Sequence, residues 1–463
     1  MESLIYWLEL INRLVWGPPL LILLVVVGVY LTVITRFVQF RHFGYAHRLA
    51  FTRDDDNSEG DISHFQALMT ALAATIGIGS ITGVATAVAI GGLGSIFWMW
   101  VAALLGMATK FGEAILAIKY RVVDGHNQMC GGPMYYLEKG LNSRFLGVLF
   151  AALAALTAFG TGNMIQSNSV ATAIIELAPS WDPLWVGFIL MIAVGLPLIG
   201  GIRSIGKVSS VLVPAMAFFY IFSALFVILY NFSAIPHAFA LIFSSAFTGQ
   251  AATGGFVGST LMLAIQYGVS RGIFSSEAGL GSSPIAAAAA KTDSPGRQAL
   301  VSMSSVFITT GIVCTLTGLV IAMADVVGQI GTNGEVLNGS ALALRAFDAM
   351  IPKGGIIVTI ALVPFAYSTI LGWAYYGEKC TEYLFGLKGT IPYRLLYTLA
   401  VFPGAILNLN LIWDIANIMN GLMAFPNLIG LFLLAKVVGK ENDAFEELLK
   451  KEREKKWVFS VKS

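Results

Sequence analysis

Two hydrophobic stretches of the sequence contain glycine-rich interruptions, and these interruptions hold the residues best suited to bind a ligand. The stretch 65–90 contains Ala-Ala-Thr-Ile-Gly-Ile-Gly-Ser at 73–80, and the stretch 255–290 contains Gly-Val-Ser-Arg-Gly-Ile-Phe-Ser-Ser-Glu-Ala-Gly at 268–279. A non-helical backbone at membrane depth must line a cavity inside the protein, because lipid cannot hydrogen-bond to N–H or C=O groups. Freed carbonyls suit a hard cation, and freed N–H groups at a helix start suit a carboxylate. The glycines alone would also allow close helix packing, but two matching interruptions favour a binding site.

Ionisable side chains inside apolar segments are costly, so those found here need partners or a function. Arg271 and Glu277 fall within the second interruption, where the Glu277 carboxylate is expected to accept hydrogen bonds from freed N–H groups. Arg271 either reaches a vestibule or pairs with Glu277, and we expect structural or gating roles for both. Lys110 and Glu113 are three residues apart on a predicted helix, a spacing that favours a buried ion pair.

A predicted helix over 145–177 carries amides near its centre. Phe159, Asn163 and Gln166 share one face of this helix. The amides either orient a small polar ligand or hydrogen-bond to neighbouring helices, as amides within membrane spans commonly do. The sequence leaves these two alternatives open.

Adjacent hydroxyls occupy the centre of another apolar segment. Ser368 and Thr369 would suit an oxygen cage for a monovalent cation, although such hydroxyls often bond to their own helix. Trp373, one turn later, is a candidate lid over a ligand or a core residue.

The composition is that of an integral membrane protein. Of the 463 residues, 57% are hydrophobic and 12% are charged, and the mean hydropathy is +0.77. Soluble domains carry about 25% charged residues. Cys130, Cys314 and Cys380 have no metal-type spacing and are expected to pack as free thiols. The sequence shows no zinc-binding His pair, phosphate-cradling loop or nucleophile with a base, which predicts a protein that is not an enzyme and has no nucleic-acid partner.

The arrangement of apolar segments predicts the topology. A bilayer is spanned by about 20 apolar residues, and by this measure the chain has 11 candidate helices. They cover residues 16–36, 64–90, 94–118, 145–177, 184–200, 207–230, 255–290, 299–325, 355–384, 392–408 and 411–438. The first lacks a small-residue cleavage site after it, so we interpret it as a retained span and not a signal peptide. If the N-terminus is outside, 23 of the 28 Lys and Arg residues lie inside, which predicts an outside N-terminus and a cytoplasmic C-terminus.

The two interrupted helices are the second and the seventh of this series, and they have opposite orientations. This pattern predicts an all-α membrane fold of the leucine-transporter type, with a 5+5 inverted repeat preceded by one extra helix. We expect four regions. They are an extra helix and cytoplasmic linker at 1–63, a first five-helix repeat at 64–231, an extracellular loop and second repeat at 232–438, and a cytoplasmic tail at 439–463.

Short motifs along the whole chain are familiar as a set. They read Phe-Trp-Met-Trp at 97–100, Gly-Met-Ala-Thr-Lys at 106–110, Gly-Gly-Pro-Met-Tyr-Tyr-Leu at 131–137, Phe-Ser-Ser-Glu-Ala-Gly-Leu-Gly-Ser at 274–282 and Tyr-Tyr-Gly-Glu-Lys at 375–379. Together they closely resemble the prokaryotic alanine or glycine:cation symporter family, from about residue 16 to the tail.

The resemblance implies a small amino acid, alanine or glycine, held between the two interrupted helices. Its carboxylate would lie on the backbone of Ile78 and Gly79, and Gln166 would bind its polar atoms. Thr369 and Trp373 would contact it from the ninth span, and Phe274 would form part of the wall. Phe159 and Asn163, on the same face as Gln166, complete the set of predicted substrate residues.

The resemblance also implies sodium as the coupling ion. Its predicted ligands are the backbone of Ala74 and Gly77 and the hydroxyls of Ser368 and Thr369. We therefore predict a symporter in a prokaryotic cell membrane that imports a small neutral amino acid by alternating access. A cation channel and a non-transporting amino-acid sensor are the alternatives. The oligomeric state stays open, with a monomer as one alternative.

Two positions depart from the family pattern. Relatives usually read Gly-Thr-Gly-Asn where this chain has Gly-Ile-Gly-Ser at 77–80, and a carboxylate in the eighth span is replaced by Thr309. The loss of an amide and a carboxylate bears on the coupling ion, its stoichiometry and the substrate preference.

Overall fold

A computed structural model describes residues 2–51, 58–248, 261–331, 334–407 and 410–462, and these residues are mostly helical. In chain order, the helices are α1 (Glu2–Val15), α2 (Pro18–Ile34), α3 (Val38–Arg41), α4 (Phe43–Ala50), α5 (His64–Thr75), α6 (Thr82–Gly91), α7 (Gly94–Lys119), α8 (Pro133–Leu141), α9 (Arg144–Phe159), α10 (Ile165–Leu177), α11 (Pro183–Ile199), α12 (Gly201–Tyr230), α13 (Ile235–Thr248), α14 (Leu261–Ser276), α15 (Pro284–Ala288), α16 (Pro295–Val306), α17 (Thr315–Ala324), α18 (Gly339–Met350), α19 (Gly355–Phe385), α20 (Thr390–Ile406), α21 (Asn410–Leu433) and α22 (Ala435–Lys462). Two short strands, β1 (Val122–Val123) and β2 (Met129–Cys130), pair antiparallel after α7.

Apart from the two breaks, the predicted membrane spans are mostly helical where the structure describes them. Among the described residues, seven continuous helices are long and apolar enough to cross a membrane, and the bent pair α5–α6 would make an eighth. Helices α11 and α20 have only 17 residues each, and α14 and α15 are separated by a break. The structure therefore supports a multi-span membrane protein, and the count of 11 crossings stays a prediction. The predicted start of the seventh span, at 255–260, lies outside the described residues.

Helix α7 forms the centre of the bundle. It packs along α14 and α16 and also contacts α2 and α13. Its second half is buried almost without interruption, including the charged side chains of Lys110 and Glu113. Two other spans contain π-helical segments, Gly160–Met164 between α9 and α10 and Phe307–Cys314 between α16 and α17. Such segments rotate the side chains that follow them relative to an ideal helix.

The tail forms helix α22, and ion pairs attach it to the bundle. Arg36 and Asp443 approach within 3.0 Å, and Arg41 and Glu446 within 2.9 Å. Glu441 pairs with Lys119 at the end of α7, and Glu452 pairs with Arg297 at the start of α16. The acidic side chains of α22 thus hold the basic ends of several spans on one face of the protein.

Candidate substrate and cation site

The first interrupted helix breaks where the sequence predicts. Ser63 and Gln66 form a capping box at the start of α5, which ends at Thr75. A 3₁₀ turn at Ile78–Ser80 then leads into α6, and the two helices are bent by 66°. Two glycines and a hydroxyl residue within four positions explain the break, because they weaken helix continuation.

The first break leaves backbone donors free. The N–H group of Ile76 bonds to the Leu72 carbonyl, and that of Ser80 bonds to the Gly77 carbonyl. Among the described residues, the N–H groups of Gly77, Ile78 and Gly79 have no acceptor within hydrogen-bond distance. Three consecutive free donors at the start of a helical half form a favourable environment for an anion.

The second break lies at 277–283, later than the glycine-rich run 268–279 suggests. Helix α14 continues through Ser276, and Glu277, Gly279 and Gly281 then have positive φ angles of 56°, 91° and 84°. The left-handed conformation suits glycine, which explains Gly279 and Gly281. Gly268 belongs to the helix, and a Cβ there would lie 2.5 Å from the Ser95 carbonyl oxygen of α7. This glycine therefore serves close packing between α14 and α7.

The buried charges of α7 bind this second break and not one another. The Lys110 ammonium donates to the Ser276 carbonyl at 2.7 Å. The Glu113 carboxylate accepts from the N–H groups of Gly279 and Gly281, both at 3.1 Å, and from the Asn427 amide at 2.7 Å. The predicted ion pair between Lys110 and Glu113 is therefore wrong, because both side chains bind backbone groups that the break leaves without helical partners.

Arg271 and Glu277 do not pair either. The Arg271 guanidinium lies 5.8 Å from the centre of the Phe274 ring. Glu277 instead accepts a hydrogen bond from the Ser282 hydroxyl at 2.7 Å. The two charges point into different cavities, Glu277 into a cavity between the breaks and Arg271 into cavities on the opposite side of Phe274.

A small cavity lies between the two breaks, and we call it the central cavity. Its lining comes from the first break, α10 and its preceding π-helical turn, the second break, α19 and α21: Ala74, Thr75, Gly77, Gly79, Thr161, Gln166, Phe274, Ser275, Glu277, Leu280, Thr369, Trp373 and Asn420. Its volume is about 20 Å³, which is little more than one water molecule needs. The structure thus brings residues from both interrupted helices and three other spans to one compact site.

Two buried amide oxygens of the central cavity lack hydrogen-bond partners. The Gln166 amide nitrogen donates to the Thr161 carbonyl at 3.1 Å, which leaves its oxygen without a donor. The Asn420 side-chain oxygen is likewise unpartnered, and both residues are at least 97% buried. An unsatisfied buried acceptor destabilises a protein by about 1–3 kcal/mol, so these oxygens suit a ligand that carries N–H donors. Sequence reasoning missed Asn420, although an amide within an apolar span was a usable signal.

The other predicted substrate residues divide into two groups. Gly79, Phe274, Thr369 and Trp373 line the central cavity together with Gln166. Phe159, Asn163 and Ile78 do not line it.

The Phe159 ring packs against the rings of Tyr393 and Tyr397, with centroids 5.4 and 5.5 Å away. The Asn163 amide donates to the Tyr397 carbonyl at 2.6 Å, so it serves the packing alternative. The π-helical turn rotates the side chains of Phe159 and Asn163 away from the helix face that carries Gln166. Ile78 lines a neighbouring, larger cavity.

Oxygen atoms converge beside the central cavity where α19 meets the first break. The Thr369 hydroxyl lies 3.1 Å from the Ala73 carbonyl oxygen, 3.5 Å from that of Ala74 and 3.0 Å from that of Phe365. The Ser368 hydroxyl lies 3.2 Å from the Ala73 oxygen and 2.9 Å from the Phe365 oxygen. A hydroxyl has one proton, so it satisfies only one of these carbonyls at a time. The cluster consists solely of neutral oxygen donors, the ligand type that hard cations prefer.

Gly77 allows this cluster to form. A Cβ at Gly77 would lie 2.4 Å from the Thr369 hydroxyl oxygen, closer than such contacts occur. Similarly, a Cβ at Gly372 would lie 2.9 Å from the Ala74 backbone nitrogen, so the glycine lets α19 approach the first break. The residues present therefore fit a sodium ion. Sequence reasoning missed the carbonyls of Ala73 and Phe365, because any residue type supplies a backbone oxygen.

The two departures from the family pattern have local partners. Ser80 is buried, and its hydroxyl lies 3.2 Å from that of Ser275 on α14, so it links the two interrupted helices. The Thr309 hydroxyl donates to the Ser305 carbonyl of its own span at 2.8 Å. Thr309 is fully buried without lining the central cavity.

Beyond Phe274, two larger cavities open on the face that carries α1 and α18, which we call the outer face. One has a volume of about 380 Å³ and is lined by Ile78, Gly79, Thr82, Gly83, Thr86, Arg271, Phe274, Asn338, Gly339, Ser340 and Trp413. The other, of about 110 Å³, is lined by Asn12, Arg13, Trp16, Gln266, Tyr267, Ser270, Arg271, Phe274 and Asn417. Phe274 lines all three cavities, so its ring separates the central cavity from the outer ones.

The opposite face, which we call the inner face, is closed by hydrogen bonds between the inner ends of the two interrupted helices. The segment before α5 pairs with the end of α15: the Asp61 N–H bonds to the Ala289 carbonyl at 2.8 Å, and the Lys291 N–H to the Ile62 carbonyl at 2.7 Å. Arg121 reinforces this closure, because its guanidinium donates to the carbonyls of Ala288 at 3.2 Å and Ala290 at 2.9 Å.

The β1–β2 hairpin adds to the closure. The Asp61 carboxylate accepts from the Met129 N–H at 2.7 Å. Burial raises the pKa of Asp61, which this hydrogen bond and the charge of Lys379 oppose. Asp124 at the base of the hairpin lies 3.2 Å from the Lys379 ammonium, so α19 is tied to the same face. The inner face is thus closed, and the Phe274 ring separates the central cavity from the outer cavities.

The comparison of folds defines the class of protein. The structure of MhsT in complex with L-phenylalanine matches with a TM-score of 0.59 over 81% of this chain and 89% of MhsT, at 15% sequence identity. This likeness shows a common fold, that of the leucine-transporter type.

Sequence comparison then gives the family. The profile of the sodium:alanine symporter family matches residues 1–459. The sodium/alanine symporter AgcS of Methanococcus maripaludis is 55% identical over 447 residues, covering 96% of this chain and 97% of AgcS. The amino-acid carrier protein AlsT of Bacillus subtilis is 34% identical over 420 residues, covering 90% and 87%. The chain belongs to the sodium:alanine symporter family, as the motifs predict, and is a membrane-spanning transporter.

Proposed function

We propose that this protein is a symporter that imports a small neutral amino acid, alanine or glycine, together with sodium. The observation that carries the proposal is the polarity of the central cavity. Free N–H donors of the first break lie at one part of its wall, and unpartnered acceptor oxygens of Gln166 and Asn420 lie at another. A zwitterionic α-amino acid complements such a cavity, because its carboxylate accepts hydrogen bonds and its ammonium group donates them.

The substrate would be oriented by these two sets of groups. Its carboxylate would accept from the backbone of Gly77 and Gly79, and its ammonium group would donate to the Gln166 and Asn420 oxygens, with the Glu277 carboxylate nearby. Its side chain would face apolar walls, which include the rings of Phe274 and Trp373.

Trp373 restricts the size of the site. A Cβ on Gly162 would lie 2.3 Å from the Trp373 Cβ, so the tryptophan is packed directly against the π-helical turn. Leu280 lines the same cavity from the second break. A larger substrate would have to displace Trp373 or this backbone, which supports the preference for small amino acids.

The sodium ligands that we propose are the carbonyls of Ala73, Ala74, Gly77 and Phe365 and the hydroxyls of Ser368 and Thr369. The ion would supply positive charge beside the substrate carboxylate at the first break. The name of AgcS, a sodium/alanine symporter at 55% identity, supports both the ion and the substrate.

Alternating access would open the outer closure at Phe274 and the inner closure between residues 59–62 and α15 in turn. Outward motion of Phe274 would connect the central cavity to the outer cavities, and separation of residues 59–62 from α15 would open the inner face. The distribution of basic residues supports an outer face outside the cell, and the organisms of the relatives AgcS and AlsT support a prokaryotic cell-membrane location.

The test is uptake of labelled alanine into proteoliposomes of the purified protein, with a sodium gradient, a proton gradient or neither. We expect concentrative, saturable uptake with sodium. A non-concentrative sodium current would instead indicate the channel, and binding without uptake would indicate the sensor. Uptake driven by protons alone would contradict the sodium assignment.

A second measurement tests the orientation of the substrate. Replacing Gln166 with Ala removes an acceptor for the ammonium group, and such a bond is worth about 1.5–3 kcal/mol, so alanine affinity should fall by about 10–150-fold. Asn168→Ala is the matched control, because this amide is on the same helix but bonds to the Leu407 carbonyl outside the cavity. Equal affinities of the two variants would remove Gln166 from the site.

A further inference from the structure

The half-buried Arg271 guanidinium has an unusual environment for a cation within a span. It lies one turn before Phe274 on α14 and 5.8 Å from the centre of that ring. Arg271 lines both outer cavities, and Phe274 also lines the central one. The arginine therefore lies in the cavities that a solute would occupy before it passes Phe274 to reach the central cavity.

Among the described residues, no carboxylate lies within ion-pair distance of Arg271, and no acceptor lies within hydrogen-bond distance of its guanidinium. Other arginines of this protein differ: Arg394 contacts the Glu378 carboxylate at 2.6 and 2.7 Å, and Arg297 pairs with Asp293 at 2.9 Å. A guanidinium has five N–H donors in a planar fork that matches a carboxylate. Arg271 makes a cation–π contact with Phe274, worth about 0.5–2 kcal/mol. Its donors are therefore available to a solute.

The larger outer cavity complements such a solute. Its volume of about 380 Å³ exceeds that of the central cavity, and Thr82, Thr86 and Ser340 add hydroxyls to its wall. A small zwitterion that retains part of its hydration shell fits there. We propose that Arg271 forms a vestibule subsite that binds the carboxylate of the incoming amino acid before Phe274 moves aside. This inference rests on the proposed function and adds a second, transient site to it.

The subsite has a consequence for the gate. A carboxylate bound to the guanidinium competes with the cation–π contact, because charge-assisted bidentate hydrogen bonds are stronger than that contact. Binding thus releases the Phe274 ring from its partner. The substrate carboxylate then passes from Arg271 to the free N–H groups of the first break, and Gly79 lines both cavities at this transition.

The experiment measures association and dissociation rates of L-alanine with the purified protein in sodium, by stopped-flow tryptophan fluorescence. Trp413 lines the larger outer cavity and Trp373 the central one, so both sites contain a reporter. We expect Arg271→Met to lower the association rate constant about tenfold at low ionic strength, a loss that salt diminishes, because charge in a cleft raises association rates by about 10–10³. The dissociation rate constant should change less than twofold, and Arg271→Lys should retain most of the rate.

Two controls separate a specific subsite from general electrostatics. Arg13→Met removes the same charge from the smaller outer cavity but leaves the cation–π contact of Arg271 with Phe274 in place, and it should leave the association rate unchanged. Propionate, a carboxylate without an ammonium group, should slow alanine association in the unmodified protein and have no effect in Arg271→Met.

The outcomes distinguish this inference from the proposed function. If the unmodified protein binds and transports alanine, but propionate does not slow association or Arg13→Met and Arg271→Met slow it equally, the vestibule subsite is overturned and the proposed function stands. If the unmodified protein neither binds nor transports alanine, both are overturned. The propionate measurement decides the question even if Arg271→Met does not fold.

Discussion

Replacing Gly77 with Ala gives a direct test of the oxygen cluster at the first break. The added Cβ would lie 2.4 Å from the Thr369 hydroxyl oxygen and 3.4 Å from the Thr369 Cβ. The second distance is an ordinary contact, so the conflict is confined to the hydroxyl, which must move by about 1 Å to reach a contact of 3.4 Å. Such a displacement removes one oxygen from the proposed sodium site.

The expected magnitude follows from the value of one polar contact to a charge. Losing it costs about 1.5–3 kcal/mol, which corresponds to an increase of about 10–150-fold in the sodium concentration for half-maximal uptake. Alanine affinity at saturating sodium should change much less, because the backbone donors of the break remain. The assay is alanine uptake into proteoliposomes over a sodium series, with thermal unfolding in detergent as a measure of correct folding.

Gly83→Ala is the matched control. Gly83 belongs to the same interrupted helix, and a Cβ there would meet nothing within 4 Å. Thr369→Ala provides a second comparison: it also raises the sodium requirement, and adding Gly77→Ala to it should cost little more, because the hydroxyl that the methyl group displaces is already absent. Non-additivity of this kind is expected for residues in contact. If Gly77→Ala and Gly83→Ala show the same sodium dependence, the assignment of this cluster to sodium is refuted.

Two further predictions concern the break in α14–α15 and the inner closure. Glu113→Ala should leave the buried N–H groups of Gly279 and Gly281 unpaired and lower the free energy of unfolding by about 2–6 kcal/mol. The midpoint of thermal unfolding should therefore fall, and it should fall less in Glu113→Gln, which keeps an acceptor. An unchanged midpoint in Glu113→Ala would contradict the role assigned to the carboxylate. Arg121→Met should weaken the contact between 59–62 and α15, so amide hydrogen exchange should accelerate in those segments and not in α6; equal exchange before and after the substitution would show that Arg121 does not hold the inner face closed.

The sequence by itself determined the class of protein and the position of the first break. Long apolar segments predict membrane spans, because a helix of about 20 apolar residues crosses the bilayer and pairs its own backbone N–H and C=O groups there. The glycine-rich run at 73–80 breaks α5 from α6 because local backbone preference acts within a few residues. The motifs along the chain identified the family, which its profile over residues 1–459 confirms.

The partners of the buried polar groups depended on the tertiary structure. Helical spacing predicted that Lys110 would pair with Glu113, but both side chains bind the backbone of the second break, 166 positions or more along the chain. The second break itself begins at Glu277 and not among the earlier glycines, because Gly268 is used to pack α14 against α7.

Only the tertiary structure decided which side chains of α9, α10 and α19 reach the central cavity. An ideal helix places Phe159, Asn163 and Gln166 on one face, but the π-helical turn between α9 and α10 leaves only Gln166 in the cavity wall. The Asn420 oxygen and the Ala73 carbonyl likewise meet groups from helices distant in sequence. A sequence pattern reports which groups need partners, whereas helix rotation and long-range packing determine which partners they meet.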